Sequence, residues 1–140
     1  MHWTWKGAIG LMLLAACGCG SSRLLAVAPV HGTVTYKGRP LDHGSVVFFP
    51  ETGGSGVPSV GYITAGGSFE VQTGSRKGAP LGNCIVTVHC RKEADVPGPR
   101  LDRFIPATES LIPEKYADQS RSPLRFEVKA GGNDFPILLE

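Results

Sequence analysis

Few residues in this chain could do chemistry: Cys17, Cys19, Cys84 and Cys90, the histidines His31, His43 and His89, and Asp42 beside His43. Cys17 follows Leu14-Ala15-Ala16, and small residues ahead of a thiol suit a peptidase cut followed by acylation of the sulfur. Cys84 and Cys90 stand six residues apart in an alternating run. An extended strand rises about 3.3 Å per residue, which separates them by about 20 Å, whereas a disulfide tolerates roughly 7 Å between Cα atoms. Both are therefore expected as buried free thiols, which pack like small apolar side chains. Zinc is not expected, because no C-x-x-C occurs and Cys84, His89 and Cys90 cannot converge from one straight strand. An activated thiol needs a helix start or a basic neighbour, and chain order offers neither. The three histidines are separated by strands, Asp42-His43 reads as a solvated turn pair, and His89 reads as half exposed. Neither G-x-S-x-G nor H-E-x-x-H is present, so no catalytic constellation or cofactor site assembles.

The elements that must position these residues are strands. Gly32 to Pro50, GTVTYKGRPLDHGSVVFFP, alternates through Val34 and Tyr36, breaks at Lys37-Gly38-Arg39-Pro40, turns again at Asp42-His43-Gly44 and resumes as the β-branched and aromatic run Ser45 to Phe49. Ser59 to Thr64 and Ser68 to Gln72 form a hairpin about Ala65-Gly66-Gly67. In Cys84 to Cys90 the set Cys84, Val86, Val88 and Cys90 shares one face, assigned to the core, and Ile85, Thr87 and His89 the other. Pro123 to Lys129 alternates strictly, with Leu124, Phe126 and Val128 on one face. Ala130-Gly131-Gly132-Asn133 reads as a hairpin turn into a last strand, Asp134 to Leu139, expected to pair with its predecessor, with Pro136 marking an edge or a bulge.

Nineteen glycines and eleven prolines in 140 residues, without a collagen period, favour many short strands in one domain. A net charge of +2 with alternating signs gives no field for nucleic acid, which is excluded as a partner. Glu51 to Pro58 is glycine-rich but lacks the Lys-Ser or Lys-Thr of a phosphate-binding loop. Arg76 and Lys77 are adjacent cations in a Gly and Pro loop, read as solvated, with an anionic partner as the alternative. At the N-terminus Lys6 precedes a short apolar stretch, Ala8 to Ala16, too short to span a bilayer. Ending at Cys17, it matches a bacterial lipoprotein signal; the alternatives are an ordinary secretory leader with an incidental cysteine, or a retained apolar helix. The chain divides into a signal peptide 1–16, a lipidated tether 17–28 and a domain 29–140. Buried acyl chains contribute about 0.8 kcal/mol per CH₂ to anchoring. Gly18 in place of aspartate favours the outer membrane or cell surface, and Cys19 is left as an unpaired thiol near the membrane.

Several of these segments occur in a recognisable order. G-x-V-T-Y-K-G-x-P-L followed by V-x-F-x-P, then Ala65 to Phe69, Gly78 to Val88, and Ile112-Pro113-Glu114-Lys115-Tyr116, together resemble the transthyretin-like or carboxypeptidase regulatory-like domains of small lipoproteins of planctomycete type. The resemblance spans roughly Val30 to Glu140. It implies an all-β, seven-stranded antiparallel transthyretin-like (prealbumin/Ig-like) β-sandwich. Ala65 and Gly66 replace the usual acidic or Asn turn residues, and Cys84 an aromatic. A transthyretin-like hydrolase would end in a Tyr-Arg-Gly-Ser-like tail, and this chain ends Ile137-Leu138-Leu139-Glu140.

Arg91 to Gln119 exceeds an ordinary hairpin loop, and such segments are often functional. Arg100, Arg103, Phe104 and Tyr116 are the candidate binding surface within it, and its apolar residues are expected to fold back over the domain. The expected function is a non-enzymatic, lipid-anchored envelope protein that binds or organises another envelope protein. Alternatives are a module for a glycan or peptide, and, last, a hydrolase. A glycan platform wants aligned exposed aromatics, but Trp3 and Trp5 lie in the leader, and Tyr62, Phe104 and Tyr116 are scattered.

Overall fold

The computed structural model describes residues 26–51, 56–92 and 109–140. In chain order its strands are β1 (Val27–Ala28), β2 (Val30–Tyr36), β3 (Arg39–Pro40), β4 (Ser45–Pro50), β5 (Ser59–Tyr62), β6 (Ser68–Thr73), β7 (Arg76–Lys77), β8 (Ala79–Pro80), β9 (Gly82–His89), β10 (Arg125–Val128) and β11 (Asn133–Leu139). Among the described residues there is no α-helix, and a single 3-10 turn covers Glu114–Tyr116. The protein is all-β.

Nine strands form one curled sheet: seven run in the order β10-β9-β4-β5-β6-β2-β11, antiparallel throughout except for the last pair, and the short β3 and β7 pair with β2 and β6. The curl brings the two edges together: Phe126 of β10 stacks on Phe135 of β11 with ring centroids 4.7 Å apart. Phe135 stacks in turn on Phe48 at 6.2 Å, and Phe48 meets Phe69 at 6.4 Å, so an aromatic row crosses the enclosed core. Such pairs add roughly 0.5–1.5 kcal/mol each beyond the area they bury. The row places four strands around one centre. Alternation decides which side chains enter that centre. Cys84, Val86, Val88 and Cys90 are all buried, as their spacing predicts. Thr87, on the opposite face, is buried too, because Ile112, Tyr116 and the chain up to Ser122 fold back over the domain near β9; Ser122 donates its hydroxyl to the Val86 carbonyl at 2.5 Å.

The strand pairing departs from expectation at two places. After Tyr36 the chain makes its tight corner, but only the two-residue β3 returns against β2; β4 crosses to lie between β5 and β9. The last strand does not pair with β10. It runs parallel to β2, Asn133 opposite Val30 through Leu139 opposite Tyr36. Asn133 explains the crossover: its amide donates to the Pro29 carbonyl at 3.1 Å and to the Lys129 carbonyl at 2.9 Å, while its Oδ1 accepts from the Lys129 N–H at 2.9 Å. One buried side chain thus replaces the hairpin turn with a link to β2. Because Asn133 N–H donates to Pro29 and Lys37 N–H to Leu139, the odd-numbered residues of β11 face β2 and Pro136 faces outward. Its missing N–H removes no ladder bond, as the edge position predicts.

These registers define two ends of the domain. At one lie β1, Pro29, the β6–β7 turn, β8, the start of β9 and the 129–133 turn. At the other lie the Lys37-Gly38 corner, Asp42 to Gly44, the Ala65-Gly66 turn, the end of β9 and Glu140.

Candidate functional site

The end bearing Asp42 to Gly44 brings Asp42, His43 and Cys90 together, while His31 and Cys84 lie toward the opposite end. His43 Nδ1 lies 2.5 Å from Asp42 Oδ1, and His43 Nε2 lies 2.8 Å from the Arg91 carbonyl and 3.7 Å from Cys90 Sγ. Chain order does not reveal this neighbour of Cys90, which is 47 positions away from His43. The row Asp42, His43, Cys90 has the residue types of a nucleophilic triad, but its geometry does not activate the thiol. Both ring nitrogens face oxygen acceptors, a carboxylate and a carbonyl, and a ring carrying a proton on each satisfies both. That leaves no lone pair to take a proton from sulfur. Burial, reinforced by the Asp42 charge, pushes the Cys90 thiol up, and the side chain is closed to solvent. A nucleophilic cysteine needs the opposite on both counts.

What the cluster does is mechanical. His43, read from sequence as a solvated turn residue, is 39% exposed and ties the turn before β4 to the end of β9. Its hydrogen bond and positive charge hold the Asp42 carboxyl below its ordinary value. Beyond Cys90 the chain forms a paired stem. Leu111 N–H donates to Cys90 at 2.9 Å, Lys92 N–H donates to Glu109 at 2.9 Å, and Arg91 bridges Ser110. Segment 93–108 therefore leaves and returns at one point on this end.

Of the four candidate binding residues, Arg100, Arg103 and Phe104 fall outside the described residues, as do Cys17 and Cys19. Tyr116 is described, and it is no surface aromatic. Only 5% exposed, it packs into the core, and its hydroxyl accepts from the Glu140 N–H at 3.2 Å and donates to the Glu140 carbonyl at 3.4 Å. Lys115 Nζ lies 4.8 Å from its ring centroid. Ile112 is buried as well, so the part of the long segment from Ser110 to Gln119 packs on the domain, as its apolar residues suggest. His89 is partly buried; its Nε2 lies 3.2 Å from Thr87 Oγ1, and burial together with Arg91 holds its pKa below the ordinary value of 6.5.

Cys84 and Cys90 are both free, in keeping with the strand geometry. Burial pushes the Cys84 thiol up, with Glu51 adding to it. Glu51 and Arg125 meet at 3.3 Å across an open groove of about 460 Å³ that Asn83, Phe126 and Glu127 also line. Among the described residues no three metal-ligating side chains cluster, and no helix is long and apolar enough to cross a membrane. Comparison with family models, curated proteins and solved structures finds no match to this chain.

Proposed function

We propose that this chain is a lipid-anchored protein of the bacterial envelope that acts by binding or organising another envelope protein, without catalysis of its own. In this reading its curled sheet is a seven-stranded transthyretin-like β-sandwich of the carboxypeptidase regulatory-like kind, acylated at Cys17 and held at the outer membrane or cell surface. One observation carries the reading: the chain joins the fold through β1 at one end, while the stem of segment 93–108 rises from the other. The points where the tether and segment 93–108 join the described domain are then at opposite ends of it. Long loops on a rigid scaffold are the common place for recognition.

The test is affinity capture from envelope extract with the mature acylated chain, beside a variant lacking 93–108. That deletion spares Ile112 and Tyr116, which the core needs. A reproducible envelope protein retained by the whole chain and lost by the deletion supports the reading; unchanged capture removes the loop as the binding surface. Enrichment of glycan in place of protein would favour a carbohydrate module.

A further inference from the structure

The end of the domain opposite the loop carries its own chemistry. β1 pairs antiparallel with β8, Val27 opposite Pro80 and Ala28 opposite Ala79, and Leu81 N–H donates to the Ala26 carbonyl at 3.2 Å. Gly78, with φ of 106°, is needed here: a Cβ on it would lie 2.2 Å from the Ala28 carbonyl oxygen. Val27 and Ala28, assigned by sequence to the tether, are thus fixed to the fold. Around that fixed point stand three exposed cations, with the exposed carboxylates Glu127 and Asp134 flanking the 129–133 turn. Arg76 and Lys77 form β7 beside β1, and Lys129 begins the turn whose Asn133 donates to Pro29. Lys77 also reaches Glu70 at 3.4 Å, an exposed pair of the kind that contributes little and yields readily to another anion. Leu81, 42% exposed, lies beside them as an apolar side chain facing water.

From these positions we infer that this end lies on the bilayer, with Arg76, Lys77 and Lys129 against anionic headgroups and Leu81 in the interface. The inference rests on acylation at Cys17. Between Cys17 and Ala26 there are nine residue steps, and a chain spans at most about 3.6 Å per residue, so Ala26 stays within about 32 Å of the lipid. A tether that ends at Ala26 draws this end toward the membrane. Charge complementarity names the headgroup, because each Lys or Arg near an anionic surface strengthens association about fivefold.

Both tryptophans, Trp3 and Trp5, precede Cys17, so the mature chain offers a background without tryptophan. Leu81→Trp reports on the proposed face. Tyr62→Trp reports on the other end, since Tyr62 is 75% exposed and opposite Ser45. Each acylated full mature chain, its mass verified, is placed in phosphatidylcholine vesicles with or without phosphatidylglycerol, using brominated lipids as quenchers. Leu81→Trp is expected to shift to the blue and to be quenched at least about twofold more than Tyr62→Trp in anionic vesicles, with the difference shrinking in neutral vesicles, in high salt, or in the Arg76→Gln/Lys77→Gln/Lys129→Gln background. Hydrogen exchange on the unsubstituted chain gives a second reading: amides of 74–82 slow on anionic vesicles and those of 64–67 do not. An acylated chain in which Leu81→Trp is no better quenched than Tyr62→Trp, or in which 74–82 exchange unchanged, overturns the membrane-facing end alone. A mature chain without acyl mass overturns the anchor itself and this inference with it.

Discussion

Gly32 and Phe135 face each other across the parallel pair of β2 and β11 so closely that a Cβ on Gly32 would lie 2.1 Å from the Phe135 carbonyl oxygen and 2.9 Å from the Phe69 ring. The backbone of β11 therefore rests on a position that only glycine can fill. Gly32→Ala forces β11 away from β2 and disturbs the Phe135 stack, so it is expected to destabilise the domain by roughly 2–4 kcal/mol. Urea unfolding measures this, and a midpoint equal to that of the unsubstituted chain would show that the two strands are not in this register.

Asn133 carries the crossover from β10 to β11. Replacement by Ala leaves the Lys129 N–H and carbonyl without their Asn133 partner and takes one of two donors from the Pro29 carbonyl, an expected loss of roughly 2–4 kcal/mol, since a buried polar group left unpaired costs about 1–3 kcal/mol. Asn133→Asp should be similarly harmful, because a carboxylate cannot donate to either carbonyl. If Asn133→Asp unfolds at the same urea concentration as the unsubstituted chain, the side chain does not guide the crossover.

Tyr116 makes two separable contributions. Tyr116→Phe keeps the ring and loses the contacts with Glu140, an expected loss of about 1 kcal/mol; Tyr116→Ala empties a core position, at about 3–5 kcal/mol. Hydrogen exchange at the Glu140 amide should quicken in both. Equal stability of the two variants would place the ring outside the core.

Asp42 and His89 both contribute to the acid side of stability. Asp42 has a folded pKa below its ordinary 3.8, so its contribution is fully present above that value and is lost as pH falls through the lower, folded one. His89 has a folded pKa below 6.5, so the unfolded chain binds the proton more readily and stability declines as pH drops below about 6.5. His89→Gln should flatten stability between the ordinary and folded values without changing it much at neutral pH. A pH profile of the unfolding midpoint tests this, and an unaltered slope would mean that His89 is not the group responsible.

Cys84 and Cys90 are expected to resist alkylation in the folded protein and to react together once urea unfolds it. Both are buried, with pKa values held up by burial. Mass analysis after native and denaturing alkylation separates the outcomes. Rapid native labelling of Cys90 would show that the His43 corner opens and exposes the thiol.

Local pattern was enough to assign the strands whose side chains alternate. The parity of Cys84 to Cys90 predicts both the buried face and the absence of a bridge, and the Ala65-Gly66-Gly67 turn joins two neighbouring strands as read. Pairing between distant segments was not legible. Ala130-Gly131-Gly132-Asn133 has the composition of a hairpin turn, yet the Asn133 side chain answers to Pro29, 104 positions away, and no local rule contains that partner. His43 likewise looks like any turn histidine until the end of β9 arrives beside it. Tyr116 shows the same limit: an aromatic in a polar stretch reads as surface, and only its burial and the hydroxyl's partner at Glu140 place it in the core.

The parallel pairing of β2 and β11 also sets a clock. β2 is made early, and the strand that pairs with it along this edge emerges from the ribosome about a hundred residues later, so this pair cannot form until β11 has been made. Pairing of such distant segments is intrinsically slow. In a chain passed through a pore amino end first, this pair would form only after β11 had cleared the pore.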